Sequence, residues 1–239
     1  MLEISFLTRQ YSSKHGRLVI DPQKTMKPLI NVFLLIGLLR PMIVGAQGTT
    51  FLSNIGPAAS ATAVGSDSWR AASFVTGTNA GGYELNSIQL QMSSSVGTPS
   101  GFAVYLYDVN GIFLPGSSLG NLVGSTPEMD GVYTFAASSL SLSPATGYYV
   151  VLTAGTSLAN GSFQWSVGQT SGFSTIDGWF LDGGYLQSSN GSSWLFYRPN
   201  PFQFAVNATA VPEPSTLALF SGGGLFLALR LFRRARAKT

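Results

Sequence analysis

Hydrophobic residues follow two different patterns along this chain. Two short apolar runs, residues 29–39 and 217–229, lie near the ends of the sequence, and each is next to basic residues. Between them, apolar and polar residues alternate over short stretches that are separated by Gly, Ser and Asn, which is the pattern of half-buried β-strands. No long stretch in the middle has the 3.6-residue period of a helix. The pattern predicts two terminal segments on either side of an all-β domain.

The alternation in the middle predicts a series of short strands. We expect them at residues 69–75, 83–92, 102–107, 132–135, 148–153, 163–167, 178–181, 194–197 and 202–207. Between Leu85 and Ile88 the apolar positions slip by one residue, so we predict a β-bulge near Asn86 and Ser87. Eight or nine such strands predict two packed antiparallel sheets, a jelly-roll-like or immunoglobulin-like β-sandwich over residues 47–210.

The C-terminal segment, residues 211–239, has the features of a membrane anchor. Residues 215–229 carry no charge, and a helix of that length measures about 23 Å. This is short for a hydrocarbon core of about 30 Å, but basic side chains that snorkel to the interface extend it. Five basic residues follow it: Arg230, Arg233, Arg234, Arg236 and Lys238. We expect a single transmembrane helix whose arginines stop transfer and stay cytoplasmic, which places the preceding domain outside the cytoplasm.

The N-terminal segment has the pattern of a signal peptide. Lys24 and Lys27 precede the apolar run 29–39, and Val44-Gly45-Ala46 supplies the small residues of a signal-peptidase site. We therefore expect signal peptidase to cleave after Ala46. Residues 1–25 are irregular and rich in basic side chains, so we interpret them as a misassigned extension. On this interpretation translation begins at Met26, and residues 26–46 form the signal peptide.

The charge of the chain changes when both terminal segments are set aside. The whole sequence has a formal net charge of +3, but residues 47–210 contain only two basic side chains against seven acidic ones, a net charge of −5. The two basic residues are Arg70 and Arg198. A domain of this composition cannot form a basic groove for phosphates, so we expect no nucleic-acid partner.

Two residue types that carry much enzyme chemistry are missing from the predicted domain. The sequence has no cysteine, and its single histidine, His15, lies in the N-terminal extension. This removes the usual base of Ser-His and Cys-His enzymes and the imidazole ligands of transition metals. Asp108, Asn110 and Gly111 begin like a calcium loop but lack the later acidic ligands, so we predict a hairpin turn there. We expect no catalytic residues, no cofactor and no metal.

Two alternatives remain open at this point. The first is a carbohydrate-binding module, because flat aromatic rings stack on sugars. Its candidate residues are Trp165, Trp179 and Trp194. The second is a glycosidase that uses paired carboxylates, with Asp177 and Asp182 or Glu128 and Asp130 as the candidate pairs. Both acidic pairs lie in glycine-rich surroundings that are typical of solvated turns.

The C-terminal segment closely resembles the PEP-CTERM protein-sorting signal of bacteria. The resemblance rests on Pro212, Glu213 and Pro214, followed by the short apolar run and the arginine-rich end. It implies that this triplet is a sorting motif, that an exosortase of the inner membrane recognises and processes the tail, and that the host is Gram-negative. An ordinary tail anchor that is never processed is the alternative.

The central domain is similar to the choice-of-anchor domains of bacterial surface proteins, in particular the R type. The similarity is carried by residues 72–88, 104–107, 133–135 and 140–149 and extends roughly from Phe51 to Ala208. It implies a surface domain and supplies no catalytic residues. Together the two resemblances imply a non-enzymatic, exported protein of the cell envelope or biofilm matrix, with extracellular polysaccharide as a possible partner.

Overall fold

A computed structural model describes residues 48–111, 113–168, 173–183, 185–196 and 200–213. All of them belong to one compact unit, Ala46–Thr239. The predicted extension 1–25, the signal peptide 26–46 and the transmembrane run 215–229 with its arginines lie outside the described residues. Within the described ranges, no helix is long and apolar enough to cross a membrane.

All the regular structure of the described ranges is β-strand. The strands are β1 Thr49–Ser53, β2 Ser60–Val64, β3 Trp69–Val75, β4 Tyr83–Gly97, β5 Ala103–Val109, β6 Pro115–Leu122, β7 Gly131–Leu142, β8 Gly147–Thr153, β9 Gly161–Val167, β10 Ser174–Thr175, β11 Tyr185–Ser188, β12 Leu195–Phe196 and β13 Phe204–Ala210.

The strands form two antiparallel sheets. The seven-stranded sheet has the order β10-β1-β13-β4-β9-β2, and β7 pairs with the other edge of β4. Strand β4 is long enough to pair first with β13 and then, from Met92 to Gly97, with β9. The six-stranded sheet has the order β12-β11-β3-β8-β5-β6. The predicted all-β, antiparallel sandwich is therefore confirmed.

The main core lies between the two sheets. Alternate residues of each strand point inward, as the two-residue period of a strand requires. Phe74 of β3 and Phe204 of β13 come from different sheets, and their ring centroids lie 6.3 Å apart. Both side chains are fully buried. Burying a side chain of this size contributes about 1.5–3 kcal/mol to stability, so the domain reaches a stable core without a disulfide.

The predicted β-bulge in β4 is confirmed. Leu85 pairs with Leu140 on one side and Ala208 on the other, and Ser87 pairs with Ala136 and Asn207. Asn86 is left unpaired between them in both ladders. The inward-facing positions of β4 are therefore odd-numbered before Asn86 and even-numbered after it. Its side-chain oxygen accepts a hydrogen bond of 3.0 Å from the Thr209 hydroxyl.

Several strand predictions differ from the structure. The prediction at 178–181 is wrong, because Phe180 forms only an isolated bridge with Val75. The described residues contain thirteen strands where eight or nine are predicted, and the additional ones are β1, β2, β6, β10 and β11. Strand β6, for example, reads PGSSLGNL and exposes most of its side chains. Strand β6 lies at the edge of its sheet and is mostly exposed, so burial does not impose an apolar alternation on it.

Candidate functional site

The polypeptide leaves the β-sandwich at the end of its last strand. Strand β13 lies between β1 and β4, and its final residue, Ala210, pairs with Tyr83. One residue later, the Val211 N–H donates a hydrogen bond of 3.0 Å to the Gly82 carbonyl. The Asn79 side-chain amide donates to the Val211 carbonyl at 2.9 Å and to the Gly82 carbonyl at 2.6 Å. We call Asn79, Gly81, Gly82 and Val211 the exit clasp.

The loop half of the exit clasp is a tight turn. The Gly82 N–H donates to the Asn79 carbonyl at 2.8 Å, which closes a four-residue turn with Asn first and Gly last. Gly82 has a φ of 72°, a backbone conformation that favours glycine. A side chain on Gly81 would place its Cβ 2.3 Å from the Val211 carbonyl oxygen. The close approach of the loop to the departing strand therefore requires glycine.

The sorting triplet begins directly after the exit clasp. Val211, Pro212 and Glu213 are exposed and have no regular secondary structure. Because Pro212 has no N–H group, it cannot extend the hydrogen-bond ladder of β13. Pro214, the third residue of the triplet, and the stop-signal residues Arg230, Arg233, Arg234 and Arg236 lie outside the described residues. The folded domain thus ends one residue before the predicted motif.

The three candidate sugar-stacking tryptophans are buried. Trp165 is 0% exposed, stacks on Phe202 with centroids 4.4 Å apart, and donates its Nε1 proton to the Gln203 carbonyl at 2.9 Å. Trp179 is 1% exposed and stacks on Phe51 and on Phe74.

Trp194 is 8% exposed and belongs to a second apolar cluster, with Ala71, Tyr149, Val151 and Leu186. The burial of all three tryptophans corrects the prediction, because protein atoms occupy the space that a sugar ring would need. Their contacts instead stabilise the fold. The half-buried Trp69 packs against the same cluster.

The candidate acid pairs are exposed in the structure. Glu128, Asp130, Asp177 and Asp182 all face solvent. Asp130 accepts hydrogen bonds from the Ser94 backbone N–H and hydroxyl. Its carboxylate therefore ties the residues just before β7 to strand β4. This is a structural role rather than the arrangement of two carboxylates across a cleft that glycosidase chemistry needs.

Asp182 acts electrostatically on two tyrosines. Burial, and to a smaller extent the Asp182 charge, raise the pKa of Tyr185 from 10.0 to about 12. The same two causes raise the pKa of Tyr149, whose hydroxyl donates to the Phe113 carbonyl at 2.8 Å. Both tyrosines therefore stay protonated at physiological pH.

The segment from Asp108 to Gly111 forms a turn, as predicted. The Asn110 N–H donates to the Leu114 carbonyl at 2.9 Å, and the Leu114 N–H donates to the Asn110 side-chain oxygen at 3.0 Å. Asp108 accepts from the Ser117 N–H across the β5–β6 hairpin. Among the described residues, no cluster of three or more His, Cys, Asp or Glu side chains is placed to hold a metal ion.

A cleft of about 350 Å³ lies at the edge of the six-stranded sheet. Its lining is polar except for one leucine: Asp67, Ser68, Arg70, Gln187, Ser188, Ser189, Ser193 and Leu195. We call it the polar cleft. Sequence reasoning missed it, although Arg70 stood out as one of two basic residues in the domain.

Comparison with known proteins identifies the C-terminal segment. Residues 210–234 match the family model of the PEP-CTERM protein-sorting motif. No curated protein and no solved structure matches the chain, and the similarity to choice-of-anchor domains stays a prediction. The match begins at Ala210, the last residue of β13, and continues through the exposed Pro212 and Glu213. The chain therefore carries a PEP-CTERM sorting motif, the mark of an exported protein that is sorted to the cell envelope, and this motif starts where the β-sandwich ends.

Proposed function

We propose that this chain is a non-enzymatic surface or extracellular-matrix protein that an exosortase sorts and processes through its C-terminal segment. The proposal begins with export, directed by residues 26–46 and completed by signal peptidase. Residues 215–229 then hold the precursor in the inner membrane, with Arg230 and the following basic residues on the cytoplasmic side. The β-sandwich lies outside the cytoplasm.

The observation that carries the proposal is the position of the motif relative to the fold. Val211 is hydrogen bonded to Gly82 and Asn79, and Pro212 and Glu213 are exposed immediately afterwards. Only residues 212–214 separate Val211 from the uncharged run 215–229, and the distance from Val211 to residue 215 is at most about 14 Å for an extended chain. The sandwich therefore holds the motif close to the membrane surface, where a membrane-embedded exosortase acts on it.

The exit clasp gives this arrangement a defined geometry. A flexible linker would let the motif sample many positions. An exosortase that binds the motif would then have to fix one of these positions, which costs conformational entropy. Two hydrogen bonds at Val211 instead fix the direction in which the chain leaves the sheet. The exosortase thus meets a motif whose first two residues, Pro212 and Glu213, are exposed and whose start is held by a rigid domain.

The proposal is tested by the intact mass of the protein recovered from the cell surface and the medium. The same measurement is made in a strain that lacks exosortase. We expect a mature form that begins near Gln47 and ends near Pro212, and we expect this form to be lost without exosortase. A form that retains Thr239 in both strains would show a plain membrane anchor instead.

The proposal assigns no catalytic role to the domain. The predicted domain contains neither cysteine nor histidine, and the Asp130 carboxylate is engaged by Ser94. These observations favour a structural protein over a carboxylate-based glycosidase. A carbohydrate-binding role is the second candidate function, and the observation that favours it is the polar cleft rather than the tryptophans.

A further inference from the structure

The polar cleft lies between the start of β3 and the β11–β12 hairpin. Arg70 and Ser68 come from the β3 side, and Gln187 and Ser188 come from β11. Strands β3 and β11 are neighbours, and Arg70 pairs directly with Gln187 in their ladder. The volume of about 350 Å³ is within the range of clefts that accommodate small ligands.

Arg70 forms a fixed, charged wall of the polar cleft. Its side chain is only 8% exposed. The guanidinium donates from Nε to the Ala63 carbonyl at 3.1 Å and from Nη1 to the Gln187 side-chain oxygen at 2.7 Å. Burial of a charge is costly unless hydrogen bonds compensate it, so these bonds hold Arg70 in place. They also orient Gln187, whose side-chain oxygen accepts from Arg70.

The rim of the polar cleft is a turn that is organised before any ligand binds. The Ser188 hydroxyl accepts from the N–H groups of Asn190 and Gly191 at 3.2 and 2.9 Å. The Asn190 side-chain oxygen accepts from the N–H groups of Ser192 and Ser193 at 2.9 and 3.0 Å. A prearranged rim lowers the entropic cost of binding.

Asp67 supplies a fixed acceptor on the opposite side. One carboxylate oxygen accepts from the Leu158 N–H at 2.9 Å, which restrains the side chain. On the rim, Ser189 and Ser193 are exposed, and Leu195 is the one apolar side chain of the lining, 67% exposed. The polar cleft thus combines hydroxyl, amide, carboxylate and guanidinium groups with a single apolar surface.

We infer that the polar cleft binds a neutral sugar unit of a polysaccharide. Sugar hydroxyl groups both donate and accept, which matches a lining that presents the exposed hydroxyls of Ser189 and Ser193 and the Asp67 carboxylate beside Gln187 and Arg70. The C–H face of a sugar ring suits contact with Leu195. Because the lining contains one positive and one negative side chain, it carries no net charge, which favours a neutral sugar over an acidic one.

Other ligand classes fit the lining less well. A phosphate or sulfate ion would be repelled by the Asp67 carboxylate, and the domain around it is acidic. A divalent cation needs several oxygen ligands of high charge, whereas Asp67 is the single carboxylate of the lining. A hydrophobic ligand would displace water from the Ser189 and Ser193 hydroxyls and the Asp67 carboxylate without replacing its hydrogen bonds.

This binding site rests on the second candidate function, carbohydrate binding, and its test is independent of processing by exosortase. The full chain, purified in detergent micelles, is titrated with neutral tetrasaccharides of glucose, mannose, galactose and xylose and with acidic tetragalacturonate. Binding is followed by saturation-transfer difference NMR and isothermal titration calorimetry. We expect at least one neutral tetrasaccharide to bind.

Two substitutions on the rim assign the binding to the polar cleft. Ser193→Tyr fills the cleft, whereas Ser192→Tyr adds the same side chain at the neighbouring exposed residue, which is not part of the lining. We expect affinity to fall at least about tenfold in S193Y and to be unchanged in S192Y. Ser189→Ala removes one hydroxyl with little risk to folding, and we expect a weaker loss of the same kind.

Three results would overturn the inference. The first is the failure of every neutral tetrasaccharide to bind the wild-type chain. The second is equal affinity of S193Y and S192Y when circular dichroism shows both to be folded, which would place binding elsewhere. The third is a preference for tetragalacturonate, which would contradict the charge argument.

Discussion

The exit clasp leads to a quantitative prediction at Gly81. In Gly81→Ala, the new Cβ would lie 2.3 Å from the Val211 carbonyl oxygen and 3.2 Å from the Pro212 carbonyl oxygen. A contact of 2.3 Å with a backbone atom is not tolerated, so the loop and the departing chain must separate. The two hydrogen bonds at Val211 depend on this close approach and are expected to break.

The size of the effect follows from those two bonds. Each contributes about 0.5–1.5 kcal/mol net, so the clasp loses about 1–3 kcal/mol. Since 1.4 kcal/mol corresponds to a factor of ten, the population in which Val211 is released should rise roughly 5- to 150-fold. The sheet interior is untouched, so the free energy of global unfolding should change by less than this amount.

Amide hydrogen exchange at Val211 measures this release directly, because local opening breaks the hydrogen bond from the Val211 N–H to the Gly82 carbonyl and exposes the N–H to water. Gly111→Ala is the matched control, since no atom lies within 4 Å of a Cβ at that position. We expect exchange at Val211 to accelerate in G81A and to stay at the wild-type rate in G111A. Equal exchange rates in wild type and G81A would contradict this prediction, because the loop would then accommodate the methyl group without releasing the strand.

Four further predictions concern the core, a tyrosine and the motif. Trp165→Ala should lower the free energy of unfolding by about 3–5 kcal/mol, measured by urea unfolding with circular dichroism, and a loss below about 1 kcal/mol would contradict its burial. Because the pKa of Tyr185 is raised to about 12 in the fold, the unfolded chain loses its proton first, and stability should fall as pH rises between about 10 and 12. Asp182→Asn should lower the pKa of Tyr185. This pKa is measured by ultraviolet titration, with Tyr185→Phe as the reference that lacks the Tyr185 signal, and an unchanged pKa would exclude the Asp182 charge as a cause. Glu213→Ala should make unprocessed precursor accumulate in cells while Glu84→Ala, at another exposed acid, should not; intact masses that show the same C-terminal processing in both variants would remove Glu213 from the motif.

The bulge in β4 illustrates what a local pattern reveals. The change of parity between Leu85 and Ile88 is visible in the sequence, and the structure places Asn86 outside both ladders. The prediction succeeded because β4 is a central strand with one face toward the core. On such a strand, burial imposes a strict two-residue period, and any slip in the period must appear as an extra residue.

The tryptophans illustrate where a local pattern is insufficient. Trp165 alternates with Phe163 and Val167 along β9, which is the period of an inward-facing strand, yet the same residues could line an outer face. Trp179 follows a glycine in a segment that forms no strand, and it is nevertheless buried between Phe51 and Phe74. Whether an aromatic ring contacts solvent depends on what packs over it, and that partner is remote in sequence.

The all-β class, the bulge and the sorting motif are predictable from the sequence, because each depends on residues that are close together along the chain. The exit clasp and the polar cleft arise only from tertiary contacts. Asn79 and Val211 are 132 residues apart, and Arg70 and Gln187 are 117 residues apart. Strand pairing brings these groups into contact, and alternation within one strand contains no information about which distant strand will be its neighbour.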